Sequence, residues 1–264
     1  MILTAILLGL LEGVTEFLPV SSTGHLILVS DLMGLNTPTN KTFDIVIQLG
    51  AIFAICWLYR SKLMVTAAGM AKRNPKDWRF AFAVLLGFLP AAVVGALIHD
   101  FIKTALFNPG VVIVATVLGG IVLVLVDRFK PRAHFDDIDT LPLPVCLLIG
   151  VFQCLAMIPG TSRSGATIVG AILLGVERKA AAEYSFFVAI PTMFGATAYD
   201  LFKSRHELTM DGAVMIAIGF VAAFVSALFV VRAFVAYISG HGFAPFGWYR
   251  IALGALMLGI LVAR

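Results

Sequence analysis

An all-α polytopic membrane protein is the fold class that the sequence predicts, with two inverted-topology repeats, each a re-entrant helical hairpin plus three transmembrane helices. Composition, the lengths of the apolar segments and an internal sequence match lead to this prediction. Of the 264 residues, 60% are hydrophobic and only 13% are charged, whereas soluble domains carry roughly 25% charged residues. A water-soluble core of this size cannot hide so much apolar surface, which excludes a soluble enzyme, a disordered protein and a nucleic-acid binder.

Six uninterrupted apolar segments are long enough to cross a bilayer, which takes about 20 helical residues. The first segment of the chain is also apolar, but no Lys or Arg precedes Lys41. A cleavable signal peptide normally begins with basic residues, so we expect this segment to belong to the mature protein. The six predicted spans are about 42–59, 79–98, 109–127, 181–202, 213–238 and 245–263.

Two further apolar segments, 2–34 and 142–175, are broken near the middle by proline, glycine and hydroxyl residues. The breaks are Leu18–Gly24 and Ile158–Gly165. Each half has about 11–17 residues, too few to cross a bilayer alone. Broken backbone at membrane depth is tolerated only where it packs in protein or lines a wet cavity. Both segments are therefore predicted to be re-entrant helical hairpins.

The broken segments match each other at a constant offset along the chain, which indicates an internal duplication. A single membrane domain, 1–264, would contain repeat one at about 1–130 and repeat two at about 142–264. Because a hairpin returns to its own side, each repeat crosses an odd number of times and the second copy is inverted. Such repeats place a site near the membrane midplane. The matched pairs are Gly9/Gly150, Glu12/Gln153, Ser21/Ser162, Thr23/Ser164, Gly24/Gly165 and Gly34/Gly175.

Loop charges predict the orientation. One side of the membrane would carry 13 basic residues, including those of loops 60–79 and 127–141 together with Arg178, Lys179, Arg232 and Arg250. The other side would carry five, which are Lys41, Lys103, Lys203, Arg205 and Arg264. Basic loops favour the cytoplasm. Both termini and the first hairpin are then expected to face outward, with the second hairpin entering from the cytoplasm.

The first break follows two carboxylates, Glu12 and Glu16, which share one helix face because they are four residues apart. Carboxylates inside an apolar helix are costly without partners or a function. They predict a divalent-cation site or acid–base chemistry; a polar packing patch near the outer interface is the structural alternative. Ser21, Ser22 and Thr23 then open the second half-helix, where hydroxyls can cap the helix or bind phosphate.

Ser22 and His25 lie three residues apart on one helical face. A histidine beside a serine is the minimal pair of nucleophile and base. The alternative for His25 is a buried structural histidine that is hydrogen-bonded across an interface.

The motif at the second break, Pro159–Thr167, is rich in small and hydroxyl residues and contains one arginine, Arg163. Backbone N–H groups at a helix N-terminus attract anions, and an arginine binds phosphate in a bidentate manner. Ser162, Ser164 and Thr167 could add hydroxyl donors, while the alternative for Arg163 is a side chain that extends to the membrane surface. One arginine cannot neutralise a diphosphate, so charge balance predicts a divalent cation, Mg²⁺ or Ca²⁺, at Glu12 and Glu16.

The stretches Glu12–His25 and Pro159–Thr167 resemble the two signature motifs of the undecaprenyl-diphosphate phosphatase family of the bacitracin-resistance type. The resemblance covers nearly the whole chain and includes Lys41-Thr42-Phe43, Ile47-Gln48-Leu49-Gly50 and Phe107-Asn108-Pro109. The sequence departs from the family at Ile158, where relatives carry tryptophan, and this affects lipid-side packing rather than chemistry. The family consists of integral membrane enzymes that remove the terminal phosphate of a lipid carrier and recycle it for peptidoglycan synthesis.

The resemblance also implies site residues. Glu16, Ser22, His25 and Arg163 would be catalytic, with Ser22 the nucleophile and His25 an acid or base. The resemblance implies phosphate contacts from Ser21, Ser22, Arg163 and Thr167, with Ser162 and Ser164 close by. Thr23, beside Ser22, is a further candidate for phosphate binding. The family also needs a divalent cation, which we expect at Glu12 and Glu16.

Two functions from different classes follow. The first is a phosphatase of the bacterial cytoplasmic (inner) membrane with its active site on the periplasmic side. The second is a flippase or transporter of an anionic polyprenyl lipid or phosphate-bearing solute, which inverted repeats also favour; a pure carrier needs anion donors but no base. The expected partners are a polyprenyl diphosphate lipid and the bilayer, with a homodimer as an open alternative and no nucleic acid.

Overall fold

The computed structural model describes residues 2–34, 38–129, 132–203 and 213–263. These residues are almost entirely helical, and their only β pairing is one isolated bridge between Phe135 and Val176. The predicted all-α polytopic class is confirmed. The helices are α1 (Ile2–Thr15), α2 (Ser22–Leu32), α3 (Pro38–Leu58), α4 (Arg60–Ala71), α5 (Pro75–Phe101), α6 (Pro109–Phe129), α7 (Leu143–Gln153), α8 (Arg163–Leu173), α9 (Arg178–Lys203), α10 (Ala213–Ile238) and α11 (Ala244–Val262).

Within the described ranges, four helices are long and apolar enough to cross a membrane, namely α5 over Pro75–Ile98, α6, α10 and α11. A fifth crossing is formed if Phe43–Leu58 and Arg60–Ala71 count as one span, although these helices meet at 72°. The interpretation of 60–79 as a loop was wrong, because α4 occupies its first half. The basic residues Arg60 and Lys62 at the start of α4, and Lys72 and Arg73 just after it, gave this segment the composition of a loop.

Helix α9 lies where a span was predicted at 181–202, but it does not reach the hydropathy of a spanning helix. It packs against α3, α5 and α8, and residues 180–182 and 184–189 are all buried. A helix enclosed by other helices needs less apolar surface than one that faces lipid. Its membrane crossing stays a prediction.

Both predicted breaks are interruptions of helix in the structure. Helix α1 ends at Thr15 and α2 begins at Ser22; α7 continues into a 3₁₀ turn, Cys154–Met157, before α8 begins at Arg163. Helices α2 and α8 have 11 residues each, too few to span a bilayer. The residue before each, Ser21 or Ser162, has a positive φ of 69° or 75°.

Small residues allow the short helices to pack closely against long ones. Helix α1 packs on α10, and α7 packs on α5. A Cβ on Gly9 would lie 2.3 Å from the carbonyl oxygen of Gly219, and one on Gly150 would lie 2.6 Å from that of Gly87. Such contacts are typical of helix pairs in membranes.

One of the basic residues that was counted in the predicted charge bias does not belong in that count. Arg250 was counted as a loop charge, but it lies inside α11 and is only 1% exposed. Removing it from the 13 leaves 12 against five, so the direction of the bias is unchanged. Of the other counted residues, Lys130, Arg205 and Arg264 lie outside the described residues.

The close contact of α1 with α10 yields a stability prediction. Gly9→Ala should destabilise the protein by about 1–3 kcal/mol, the usual cost of overpacking, because the new methyl group would meet backbone. The melting temperature in detergent measures the change, with thermal unfolding monitored by size-exclusion chromatography. Gly259→Ala in α11 is the control, since nothing lies within 4 Å of its Cβ position. Equal melting temperatures for the two variants would contradict the packing.

Candidate active site

The two helix breaks meet inside the protein, and several buried polar side chains lie in and beside them. The Ser164 hydroxyl, at the second break, donates a hydrogen bond to the carbonyl oxygen of Leu18 at the first, at 2.8 Å. Glu16, Ser22 and Thr167 are among the buried polar residues around this contact. The structure therefore brings together two motifs that lie in opposite halves of the sequence.

Glu16 joins the two motifs directly. Its Oε2 accepts a hydrogen bond of 2.5 Å from the Ser22 hydroxyl. Its Oε1 lies 3.1 Å from Nη2 of Arg163 in an ion pair with little exposure on either side. Hydrogen bonds between ionised groups are stronger than neutral ones. The carboxylate thus fixes a hydroxyl from one break beside a guanidinium from the other.

Arg163 is held by partners on several sides. Nη1 donates to the backbone oxygen of Ser185 at 3.2 Å and to its hydroxyl at 3.4 Å, and the guanidinium carbon lies 5.4 Å from the centre of the Phe17 ring. The buried Nε has no hydrogen-bond partner among the described residues. One donor of the guanidinium is therefore free for an oxygen of a bound group.

The predicted hydroxyl residues divide by role. Ser21 and Ser162 cap their helices, accepting hydrogen bonds from the N–H groups of Gly24 at 3.3 Å and Gly165 at 3.1 Å. Ser162 and Ser164 share a hydrogen bond of 3.0 Å. These contacts leave the N-termini of α2 and α8 directed at the same polar region.

Two other hydroxyls lie differently. Thr167 shares a hydrogen bond of 2.6 Å with the hydroxyl of Ser185, so it reaches the Arg163 network through α9. Thr23 is half-buried, and its hydroxyl has no hydrogen-bond partner within the described part of the chain. Ser185 was missed by the sequence analysis, because nothing in the α9 sequence distinguishes it from an ordinary interfacial serine.

Glu12 is fully buried, and neither carboxylate oxygen has a hydrogen-bond partner among the described residues. One oxygen of Asp44 in α3 is likewise buried without a partner. Oxygen acceptors of this kind fit a hard divalent cation. The described residues contain no group of three or more His, Cys, Asp or Glu side chains placed to hold a metal. Glu12 and Glu16 could therefore supply only part of a coordination shell.

His25 does not pair with Ser22. Its Nδ1 donates to the carbonyl oxygen of Ser21 at 2.8 Å, and its Nε2 lies 2.6 Å from the hydroxyl of Tyr249 in α11. A carbonyl only accepts, so Nδ1 carries the proton. The rings of His25 and Tyr249 are also parallel, with centroids 5.6 Å apart. This arrangement matches the alternative prediction for His25, which was a buried structural histidine that is hydrogen-bonded across an interface.

Tyr249 and Arg250 were both missed as residues of this region. Arg250 contacts carbonyl oxygens of both breaks. Arg250 lies within the predicted span 245–263, but it was counted only among the charges that orient the protein. An arginine one or two turns inside such a segment is a signal for a functional residue, and this signal could have identified it.

The arrangement can bind an anion and polarise a hydroxyl. Arg163 and two helix N-termini provide positive potential, while Glu16 can accept the proton of Ser22. These parts match the needs of phosphoryl transfer, which are positioning and charge stabilisation. Metal coordination by Glu12 and Glu16 would add a Lewis acid to the same place.

Comparisons with known proteins agree with this chemistry. Undecaprenyl-diphosphatase 2 of Paramagnetospirillum magneticum is 50% identical over 262 residues, which cover 99% of this chain and 100% of the relative. Undecaprenyl-diphosphatase 1 of Agrobacterium fabrum is 54% identical over 258 residues, covering 97% and 96%. An undecaprenyl-diphosphatase of Cereibacter sphaeroides is 52% identical over 261 residues, covering 98% and 97%. Residues 5–256 match the family described as bacitracin resistance protein BacA, and the chain belongs to that family.

Proposed function

We propose that this membrane protein hydrolyses the terminal phosphate of undecaprenyl diphosphate, giving undecaprenyl phosphate and inorganic phosphate. The Glu16–Ser22–Arg163 cluster carries the proposal, because it joins a base, a hydroxyl and a phosphate-binding cation in one buried place. The full-length similarity to proteins named undecaprenyl-diphosphatase supports the substrate. The product would re-enter peptidoglycan synthesis, and the activity would confer resistance to bacitracin.

Ser22 is the nucleophile in this mechanism, and Glu16 accepts its proton. The serine oxygen attacks the terminal phosphorus, the bond to the bridging oxygen breaks, and its electron pair leaves with undecaprenyl phosphate. Water then hydrolyses the phosphoserine, releasing inorganic phosphate and restoring the hydroxyl. Arg163 and the N–H groups that begin α2 and α8 hold the phosphoryl oxygens. Direct attack by water activated at Glu16 is the alternative route.

A divalent cation, Mg²⁺ or Ca²⁺, is proposed at Glu12 and Glu16, where it would neutralise phosphate charge and polarise the phosphorus. The two unpaired oxygens of Glu12 support this assignment. With few protein ligands, the ion would complete its shell with water and substrate oxygens, as Mg²⁺ commonly does. Gln153, which matches Glu12 in the second half of the chain, differs in this respect. Its amide donates a hydrogen bond to the carbonyl oxygen of Gly87 at 3.2 Å, whereas the Glu12 oxygens have no partner among the described residues.

We propose the inverted repeats because the helices of the two halves pack against each other reciprocally. If α1, α2, α3, α5 and α6 correspond to α7, α8, α9, α10 and α11, the most extensive helix contacts have counterparts. Helix α1 packs on α10 as α7 packs on α5, and α3 packs on α10 as α9 packs on α5, while α3–α9 and α6–α11 are each their own counterparts. Reciprocal packing of this kind supports a twofold relation with two re-entrant hairpins at its centre.

We further propose the bacterial inner membrane as the location and the periplasmic side as the opening of the site. The excess of basic residues in segments such as 60–79, which includes α4, supports a cytoplasmic placement of that side. Two of these residues are bonded there: Lys62 forms an ion pair with Asp139, and Arg79 donates to nearby backbone oxygens. The first hairpin would then enter from the periplasm.

The prenyl tail is proposed to lie in an apolar groove of about 870 Å³ between α6 and the pair α7–α8. Thr161 and Arg250 line it where it approaches the helix breaks, so a diphosphate at the breaks and a tail in the groove would be continuous. Ile158, at the position where the family carries tryptophan, also lines the groove. Its apolar walls include Val114, Leu118, Val122, Phe152, Leu155, Val169 and Leu173.

The role of Glu16 gives the first test of function. Glu16→Gln should lower kcat for phosphate release from undecaprenyl diphosphate by about 10²–10⁴-fold, the usual contribution of a general base. Glu183→Gln in α9, a carboxylate outside the cluster, should keep the wild-type rate. A near-full rate in both Glu16→Gln and Arg163→Ala would contradict the site. Ser22→Ala separates the routes, because only direct water attack survives it.

Metal dependence tests Glu12. Glu12→Gln should raise the Mg²⁺ concentration needed for half-maximal activity by at least about tenfold, since one charged ligand is lost. A titration of EDTA-treated protein with Mg²⁺ or Ca²⁺ measures the shift, with Glu183→Gln as the matched control. An unchanged titration curve would remove Glu12 from the metal site.

Substrate length tests the groove. Leu118→Trp should raise KM for undecaprenyl diphosphate by about tenfold and have a much smaller effect on farnesyl diphosphate, whose tail occupies less of the groove. Ile121→Trp is the control, because it lies exposed on the same helix outside the groove. Equal effects of the two variants, or equal effects on the two substrates, would place the tail elsewhere.

A further inference from the structure

Arg250 is a buried arginine whose hydrogen bonds all go to backbone carbonyl oxygens. It lies in α11 and is 1% exposed. A guanidinium has five N–H donors, and five carbonyl oxygens surround this one. They belong to Pro19 at 3.3 Å, Thr161 at 2.8 Å, Gly160 at 2.8 Å, Ala115 at 3.1 Å and Thr116 at 3.1 Å.

These five carbonyls come from three separate parts of the chain. Pro19 is in the first helix break, Gly160 and Thr161 are in the second, and Ala115 and Thr116 are in α6. Pro19 and Gly160 also occupy matched positions, since they align at the same offset as the serines that cap α2 and α8. One side chain therefore binds the same point of both breaks and ties them to a long helix.

Two glycines leave space for the Arg250 guanidinium beside carbonyl oxygens that need hydrogen-bond donors. A Cβ on Gly119 would lie 2.1 Å from Nη2, and one on Gly165 would lie 3.2 Å from Nη1. Carbonyls at a break have lost their helical N–H partners, and buried carbonyls without partners are costly. Arg250 supplies those partners in a space that glycine keeps open.

Arg250 differs from Arg163 in what balances its charge. Arg163 pairs with Glu16, whereas no carboxylate within the described ranges pairs with Arg250, which meets only carbonyl dipoles. Its donors are all engaged, so binding a phosphate would require breaking bonds to the breaks. This distribution fits a residue that holds other groups in place.

We propose that Arg250 is a positioning residue, which sets the distance between the two breaks and thereby places Ser22 beside Arg163. The kinetic consequence rests on the proposed phosphatase function. Among the described residues, no other side chain is hydrogen-bonded to both breaks and to α6. Loss of this link separates the nucleophile from the phosphate-binding group without removing either.

Arg250→Lys is the direct test, because lysine keeps the charge but has one ammonium group and cannot span five carbonyls. With farnesyl diphosphate as substrate, we expect kcat to fall at least about tenfold and KM to stay within about threefold. Arg79→Lys is the matched control. Arg79 donates to the backbone oxygens of Asp139, Thr140 and Leu141 away from the site, and its replacement should leave both constants unchanged.

Hydrogen–deuterium exchange gives a readout that does not depend on activity. In Arg250→Lys, amides of both segments 16–25 and 157–166 should exchange faster, together, while those of α9 stay as in the wild type. Gly119→Ala should reproduce the effect with Arg250 intact, because its methyl group displaces the guanidinium. Gly259→Ala should change nothing.

The proposal is overturned if folded Arg250→Lys keeps kcat within twofold, or if exchange changes at neither break or at only one. It is also overturned if Arg250→Lys and Gly119→Ala both fail to fold while Gly259→Ala folds, since Arg250 then supports the whole fold. If wild-type protein releases no phosphate, the proposed function fails, and the exchange result still decides the role of Arg250.

Discussion

Backbone groups at the two helix breaks have no helical partners and no bulk water, so the protein itself must supply their hydrogen bonds. Ser21 and Ser162 satisfy N–H groups that begin α2 and α8. Ser164 and Arg250 satisfy carbonyl oxygens on the other side. The breaks are thereby fixed against each other, and everything proposed for the site depends on that contact.

The same constraint explains why the few buried charges lie where they do. A charge taken out of water is costly unless it is paired and hydrogen-bonded. Arg163 and Glu16 meet this need through each other, Ser22 and Ser185. Glu12 does not, since its carboxylate has no hydrogen-bond partner among the described residues. The proposed divalent cation would balance this buried carboxylate, which a purely structural role would leave unpaired.

The features that were predicted correctly from the sequence are those whose pattern has a single physical explanation. Long apolar runs predicted α5, α6, α10 and α11, and clustered proline, glycine and hydroxyl residues predicted both breaks. Prediction failed where neighbours decide the outcome. Helix α4 was taken for a loop, Arg250 for a surface charge, and His25 for the partner of Ser22, whose hydroxyl donates to Glu16 instead. The helical spacing of Ser22 and His25 did not show that the break between α1 and α2 turns Ser22 toward Glu16. The carbonyl partners of Arg250 come from segments that tertiary packing brings together.

The duplication itself suggests how such a site arises. Ser22 and Arg163 are the first residues of α2 and α8 and align at the offset of the internal duplication, so they occupy matched positions that have diverged. One copy now provides the hydroxyl and the other the cation. Glu16, whose counterpart is Met157, contacts both. A symmetric ancestor with the same residue in both places could bind an anion between two helix N-termini. Asymmetry at these positions would add the proposed nucleophile and base to that anion site.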